Sequence, residues 1–281
     1  MSHHVQPLII FVPGLLPKPE RELHRDALRS CLLAGVRRID EQVAAEIESQ
    51  PAAFDIVSWT YDFYRERQDF EMDRAAVDAV IQKREADERD IAEATSWKRR
   101  LTRWIYKLGD TLPFLIPALA NEKIAVHLRD LDRYLNDVNG VAAHARRMLK
   151  APLLAAAEGG NPVLLIAHSM GSVIAYDSLW ELSQGDYAGM QLDTLVTMGS
   201  PLGQRYMQKR LKGADQEGPN RYPSNIRRWK NLSAVGDLTA LDRHLADDFG
   251  EMLELGLLDS LEDEIMLNHF RLDGQLNVHA E

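Results

Sequence analysis

Ser169 is the residue of this chain best placed for nucleophilic chemistry. It lies in VLLIAHSMGS (163–172), where an apolar run meets a His-Ser-Met-Gly turn and a helix-like segment, SVIAYDSLWEL (172–182), follows. In an open parallel sheet, ligands collect beyond the carboxyl ends of the strands, and Ser169 would stand at such an end. A helix starting behind it would turn free backbone N–H groups and the positive end of its dipole toward developing negative charge. Gly171 would let strand and helix pack closely. A serine hydroxyl is a weak nucleophile at its ordinary pKa, so the same chemistry needs a base and a group to orient that base. The alternative is a plain strand-to-helix turn.

The elements around Ser169 alternate in type. PLIIFV (7–12) is a branched apolar run that stops at Pro-Gly, as a strand buried on both faces would. FDIVSW (54–59), VLLIA (163–167), LDTLVTM (192–198) and RWKNLSAV (228–235) read as further strands, with IMLNHFRL (265–272) as a sixth candidate. Helical spacing fills residues 20–48, 140–157 and 172–182. This alternation predicts right-handed crossovers and an α/β fold, with a mostly parallel sheet and helices on both faces. Residues 62–135 are charged, helical in pattern and far longer than a strand-to-helix connection requires. They are expected to form a helical cap on a core made of 1–61 and 136–281.

Ala167-His168-Ser169-Met170-Gly171 resembles the G-x-S-x-G nucleophile elbow of the α/β-hydrolases, with alanine at the first small position. FVPGLLP (11–17) is similar to the loop that follows the first strand in that superfamily, and VTMGSPLG (196–203) to the segment after its nucleophile helix. The resemblance covers 7–16, 163–182, 192–203 and 228–237. It implies a lipase- or esterase-like serine hydrolase in which the backbone N–H groups of Leu15 and Met170 form the oxyanion hole.

The resemblance also implies the order Ser, then Asp or Glu, then His, on loops after successive strands. Asp237, just beyond the fifth strand in SAVGDLTAL, is the expected acid; its other reading is a helix N-cap. Asp242, Asp247 and Asp248 fall within what looks like the start and continuation of a helix. Three histidines lie beyond Asp237: His244, His269 and His279. His244 reads as a solvated helical side chain. His269 falls inside the expected sixth strand, whereas His279 follows it after a polar turn, so His279 is the preferred base and His269 the alternative. His168, beside the nucleophile, is expected to order the loop or pack.

Composition sets outer bounds. A net charge of −10 over 281 residues argues against a general nucleic-acid binder. The single cysteine, Cys31, excludes an intrachain disulfide and reads as a packing residue. There is no metal-ligand spacing, and His3-His4 at the terminus reads as incidental. No cofactor is required by the chemistry. The N-terminus has no basic region before its apolar run, which points to a soluble cytoplasmic protein. In WKRRLTRWIYKLGD (97–110), Trp97, Leu101, Trp104, Ile105 and Leu108 share one helix face, with Lys98, Arg99, Arg100, Arg103 and Lys107 around them. With TLPFLIPALA (111–120), this stretch either packs on the core or makes a peripheral contact with anionic lipid. The expected substrate is a small-molecule acyl ester or lipid-like ester. An acyltransferase or thioesterase would use the same triad, and a catalytically idle binding or membrane-associating protein would use the same fold. The sequence does not specify an oligomeric state.

Overall fold

Apolar runs supply β1 (Leu8–Val12) and β3 (Val163–His168), and runs that mix apolar with polar or charged residues supply β2 (Phe54–Ile56), β4 (Leu192–Met198), β5 (Ile226–Ala234) and β6 (Ser260–Met266). The computed structural model describes residues 7–69, 74–83, 86–96, 122–185, 187, 189–235 and 243–267. The strands form one sheet in the order β2-β1-β3-β4-β5-β6, with every neighbouring pair parallel. Parallel neighbours need crossover connections, and helices supply them. The chain is therefore of the α/β class.

The described helices are α1 (Arg21–Arg37), α2 (Glu41–Ser49), α3 (Trp59–Tyr64), α4 (Arg74–Gln82), α5 (Glu88–Ala94), α6 (Glu122–Leu135), α7 (Val141–Glu158) and α8 (Met170–Gln184). Three short ones follow: α9 (Arg205–Gln208), α10 (Leu245–Phe249) and α11 (Glu251–Glu254). Successive strand residues point to opposite faces, and the core divides accordingly. Ile10, Val12, Leu165 and Ala167 pack with Leu149 and Leu153 of α7 and Val173 and Ile174 of α8. Phe11, Phe54, Ile56 and Ile166 pack with Leu28 and Leu32 of α1 on the other face. Cys31, on α1, is partly buried.

Two elements differ from the sequence expectation. The run FDIVSW stops being a strand at Ile56, and Trp59 opens α3. Trp59 and Phe63 lie one helical turn apart and are both buried, with ring centroids 5.4 Å apart. A short apolar run does not by itself distinguish a strand from a buried helix. The sixth strand spans Ser260–Met266 and meets the expected 265–272 only at its last two residues, while 268–272 lie outside the described residues. Among the described residues it is an edge strand, paired on one side only, so alternate positions face water and tolerate charge. Lys230 on β5 pairs with Glu262 at 3.1 Å.

Stretch 62–135 begins and ends inside the core. Phe63 and Tyr134 belong to the same buried cluster as the sheet residues, and Arg133 of α6 lies 4.2 Å from the centroid of the Phe63 ring. The amphipathic segment 97–120 lies outside the described residues. No helix among the described residues is long and apolar enough to cross a membrane.

Candidate active site

The turn between β3 and α8 is strained at its centre. Ser169 has φ 50° and ψ −121°, a left-handed conformation that costs a non-glycine residue about 1–3 kcal/mol and survives only where its surroundings enforce it. The enforcement is visible. The Ser169 N–H donates to the Met198 carbonyl at 2.8 Å, which carries the sheet ladder one residue past β3. The Ser169 carbonyl accepts from the Ser172 hydroxyl at 2.5 Å, and Ser172 Oγ lies 2.7 Å from Ser200 Oγ. Ser200 Oγ in turn accepts from the Leu202 N–H at 3.2 Å. The serine is therefore fixed by its backbone, and it remains partly accessible.

Two glycines allow the close approach this turn needs. A Cβ on Gly171 would lie 2.2 Å from the Val12 carbonyl oxygen, so the first turn of α8 sits directly on the end of β1. A Cβ on Gly14 would lie 2.9 Å from Ser169 Cβ and 3.1 Å from His168 Nδ1. The loop after β1 thus touches the nucleophile candidate, and Leu15 is the next residue along. Met170 is the first residue of α8, a helix of 15 residues. The first N–H groups of a helix have no intrahelical partner, and the dipole is positive at that end. Ala167 is fully buried between β1 and β4, where a small side chain fits. His168 is partly buried at the end of β3.

The loop after β1 is clamped at two points by α3. The Trp59 indole donates to the Pro13 carbonyl at 2.8 Å. The Leu16 N–H donates to Tyr64 Oη at 3.1 Å, and the Tyr64 hydroxyl donates to buried Asp130 of α6 at 3.0 Å. Leu16 itself has φ 80°, a second strained residue in the site. Burial, followed by the Asp130 carboxylate, pushes the Tyr64 hydroxyl well above its ordinary pKa, so it stays protonated.

On the far side of the elbow, the ladder continues past each strand. The Gly199 N–H donates to the Leu232 carbonyl at 3.0 Å, and the Val235 N–H to the Met266 carbonyl at 2.7 Å. Ala234 and Met266, the last residues of β5 and β6, are register partners. A buried polar chain crosses the same strands below. The Trp229 indole donates to Thr197 Oγ1 at 3.0 Å, Thr197 Oγ1 to Asn231 Oδ1 at 3.0 Å, and Asn231 Nδ2 to Asp263 at 2.8 Å. Asp263 also accepts the Leu245 and Ala246 N–H groups at the start of α10. The Arg243 carbonyl accepts from Asn231 Nδ2 at 3.2 Å. The segment after β5 is thus anchored at both of its described ends.

The structure brings Gly14 against Ser169, with Leu15 next to Gly14 and Met170 next to Ser169 in the chain. Asp237, Asp242, His269 and His279 lie outside the described residues, as do His3 and His4. His244 is exposed at the N-cap of α10, and Asp247 and Asp248 lie in that helix's first turn. β6 ends at Met266, three positions before His269 in the sequence. Asp237 follows the last residue of β5 by the same interval. Tyr64, Asp130 and Trp59 had no local sequence signal. Asn231, a polar residue within a strand-like run, was the one visible hint of the cross-strand chain. Among the described residues no group of histidine, cysteine and acidic side chains could hold a metal. No protein-family model, curated protein or solved structure matches the chain.

Proposed function

We propose that the protein is a serine hydrolase of the α/β-hydrolase type that cleaves carboxylic esters. The observation that carries this is the conformation of Ser169. A serine held at positive φ, at the carboxyl end of a central parallel strand and with a helix N-terminus behind it, is the geometry that exposes a nucleophile. A plain connection has no need of that strain. The strand order supports the rest, because β5 and β6 lie on the same side of β3 with their carboxyl ends at the Ser169 end of the sheet, in the sequence order acid, then base.

In this mechanism Ser169 Oγ attacks the ester carbonyl while His269 takes its proton and Asp237 holds the imidazole in the right tautomer. The Met170 and Leu15 amides stabilise the tetrahedral oxyanion. Collapse breaks the bond to the alcohol, which leaves with the proton from His269. Water then attacks the acyl-enzyme, gives its proton to His269, and the carboxylic acid departs as Ser169 is reprotonated. His269 is preferred to His279 because it and Asp237 stand at equal intervals from the registered ends of two adjacent strands.

Hydrolysis of short- and long-chain p-nitrophenyl esters tests this assignment. His269→Ala is expected to lower kcat by roughly three orders of magnitude or more, and Asp237→Asn by a comparable factor. His279→Ala is expected to stay near the wild-type rate. Loss of activity in His279→Ala with retention in His269→Ala would reverse the choice of base.

A further inference from the structure

We propose that Tyr64 is a positioning residue for the oxyanion hole, its hydroxyl holding in its strained turn the loop after β1, whose Gly14 packs on Ser169 and whose Leu15 carries the proposed donor N–H. This rests on the hydrolase reading and goes beyond it to a residue 105 positions from the nucleophile.

Three observations converge on Tyr64. Leu16 adopts a left-handed φ of 80° without being glycine, so its surroundings must keep it there. The Leu16 N–H donates to Tyr64 Oη at 3.1 Å. The Tyr64 hydroxyl is itself oriented, because its proton goes to Asp130 at 3.0 Å, which leaves an oxygen lone pair for the Leu16 N–H. Asp130 is 4% exposed, so this acceptor is shielded from water and from salt. The ring of Tyr64 packs edge-on against Phe63 with centroids 4.8 Å apart, which separates the packing role of the ring from the role of the hydroxyl. At the other end of the same loop, Trp59 holds the Pro13 carbonyl. With both ends tied to α3, Leu15 has little freedom to move relative to Ser169. Oxyanion donors act through such fixed placement, and small displacements cost large factors in rate.

Tyr64→Phe keeps the ring and removes the hydroxyl. Its kcat on a p-nitrophenyl ester is expected to fall about 10- to 100-fold, with KM within about twofold. An alkylboronic acid, which forms a tetrahedral adduct on the serine, should bind more weakly by a similar factor, since it depends on the same donors. Asp130→Ala should give the same split, and thermal melts of both variants establish that the fraction folded at assay temperature is unchanged. If wild-type protein is not labelled by a fluorophosphonate, the hydrolase reading fails. If it is labelled and turns over ester, but both folded variants keep wild-type kcat and boronate affinity, the hydrolase reading stands and the role of Tyr64 is overturned. A rise in KM at constant kcat would also overturn it, by assigning Tyr64 to substrate contact.

Discussion

Gly14 and Gly171 set how closely the loop after β1, the elbow and α8 approach one another, and they differ in what their replacement would disturb. A methyl group on Gly171 meets backbone, the Val12 carbonyl oxygen at 2.2 Å. Relief requires β1 and α8 to separate, so Gly171→Ala should destabilise the protein by about 1–3 kcal/mol, as overpacking does, and lower ester turnover as well. A methyl group on Gly14 meets the Ser169 side chain at 2.9 Å. The expected result for Gly14→Ala is a smaller change in melting temperature and a larger proportional loss of kcat. Melting curves and ester kinetics on the two variants check this, and an unchanged melting temperature for Gly171→Ala would contradict the packing described. At this scale Ser169 and its small neighbours were readable from the sequence, because a short turn fixes them locally. Tyr64 and Asp130 were not, since their bond joins positions 66 apart and each residue alone is unremarkable for a helix.

At the scale of elements, α6, α7 and α8 are joined by buried polar groups. Asp177 of α8 accepts from the Tyr134 hydroxyl at 3.2 Å and from the Lys212 N–H at 2.9 Å. Arg146 of α7 donates to Glu181 at 2.8 Å. Burial pushes the Asp177 carboxyl up from 3.8 to about 6, against the pull of its hydrogen bond from Lys212 and the charge of Arg146. A folded-state pKa above the unfolded value means that this group's contribution is fully present below about pH 4 and is lost as pH rises through about 6. The amount is about 3 kcal/mol over that window. Asp177→Asn stays neutral throughout. Stability measured by denaturant unfolding at pH 4 and pH 7 should therefore fall less with rising pH in the variant than in the wild type. Equal pH dependence in the two would contradict the raised pKa. The sequence showed the strands best in β1 and β3, where the runs are almost uniformly apolar. It missed the start of β6 because an edge strand is half wet, and Glu262, Asp263 and Glu264 dilute its apolar pattern. It merged β2 with α3 because Val57, Trp59 and Phe63 are buried whichever element carries them.

Across the whole molecule, the sheet order does what local motifs cannot. It sets β1 and β3 side by side, so that the loop after the first strand reaches a serine more than 150 residues later in the chain. It also carries the hydrogen-bond ladder from Ser169 through Gly199 and Leu232 to Val235 and Met266. Segments far apart in sequence therefore emerge along one edge of the sheet, and this is the arrangement a nucleophile, an acid and a base would need. The alternation of strands and helices was enough to expect the α/β class. The order of the strands was not, because crossover lengths do not determine which strands become neighbours. The most direct test of the central claim is the intact mass of the protein after exposure to a fluorophosphonate. Wild-type protein should gain a single adduct that peptide mapping places on Ser169, and Ser169→Ala should gain none. No adduct on folded wild-type protein, or an adduct that persists in Ser169→Ala, would contradict it.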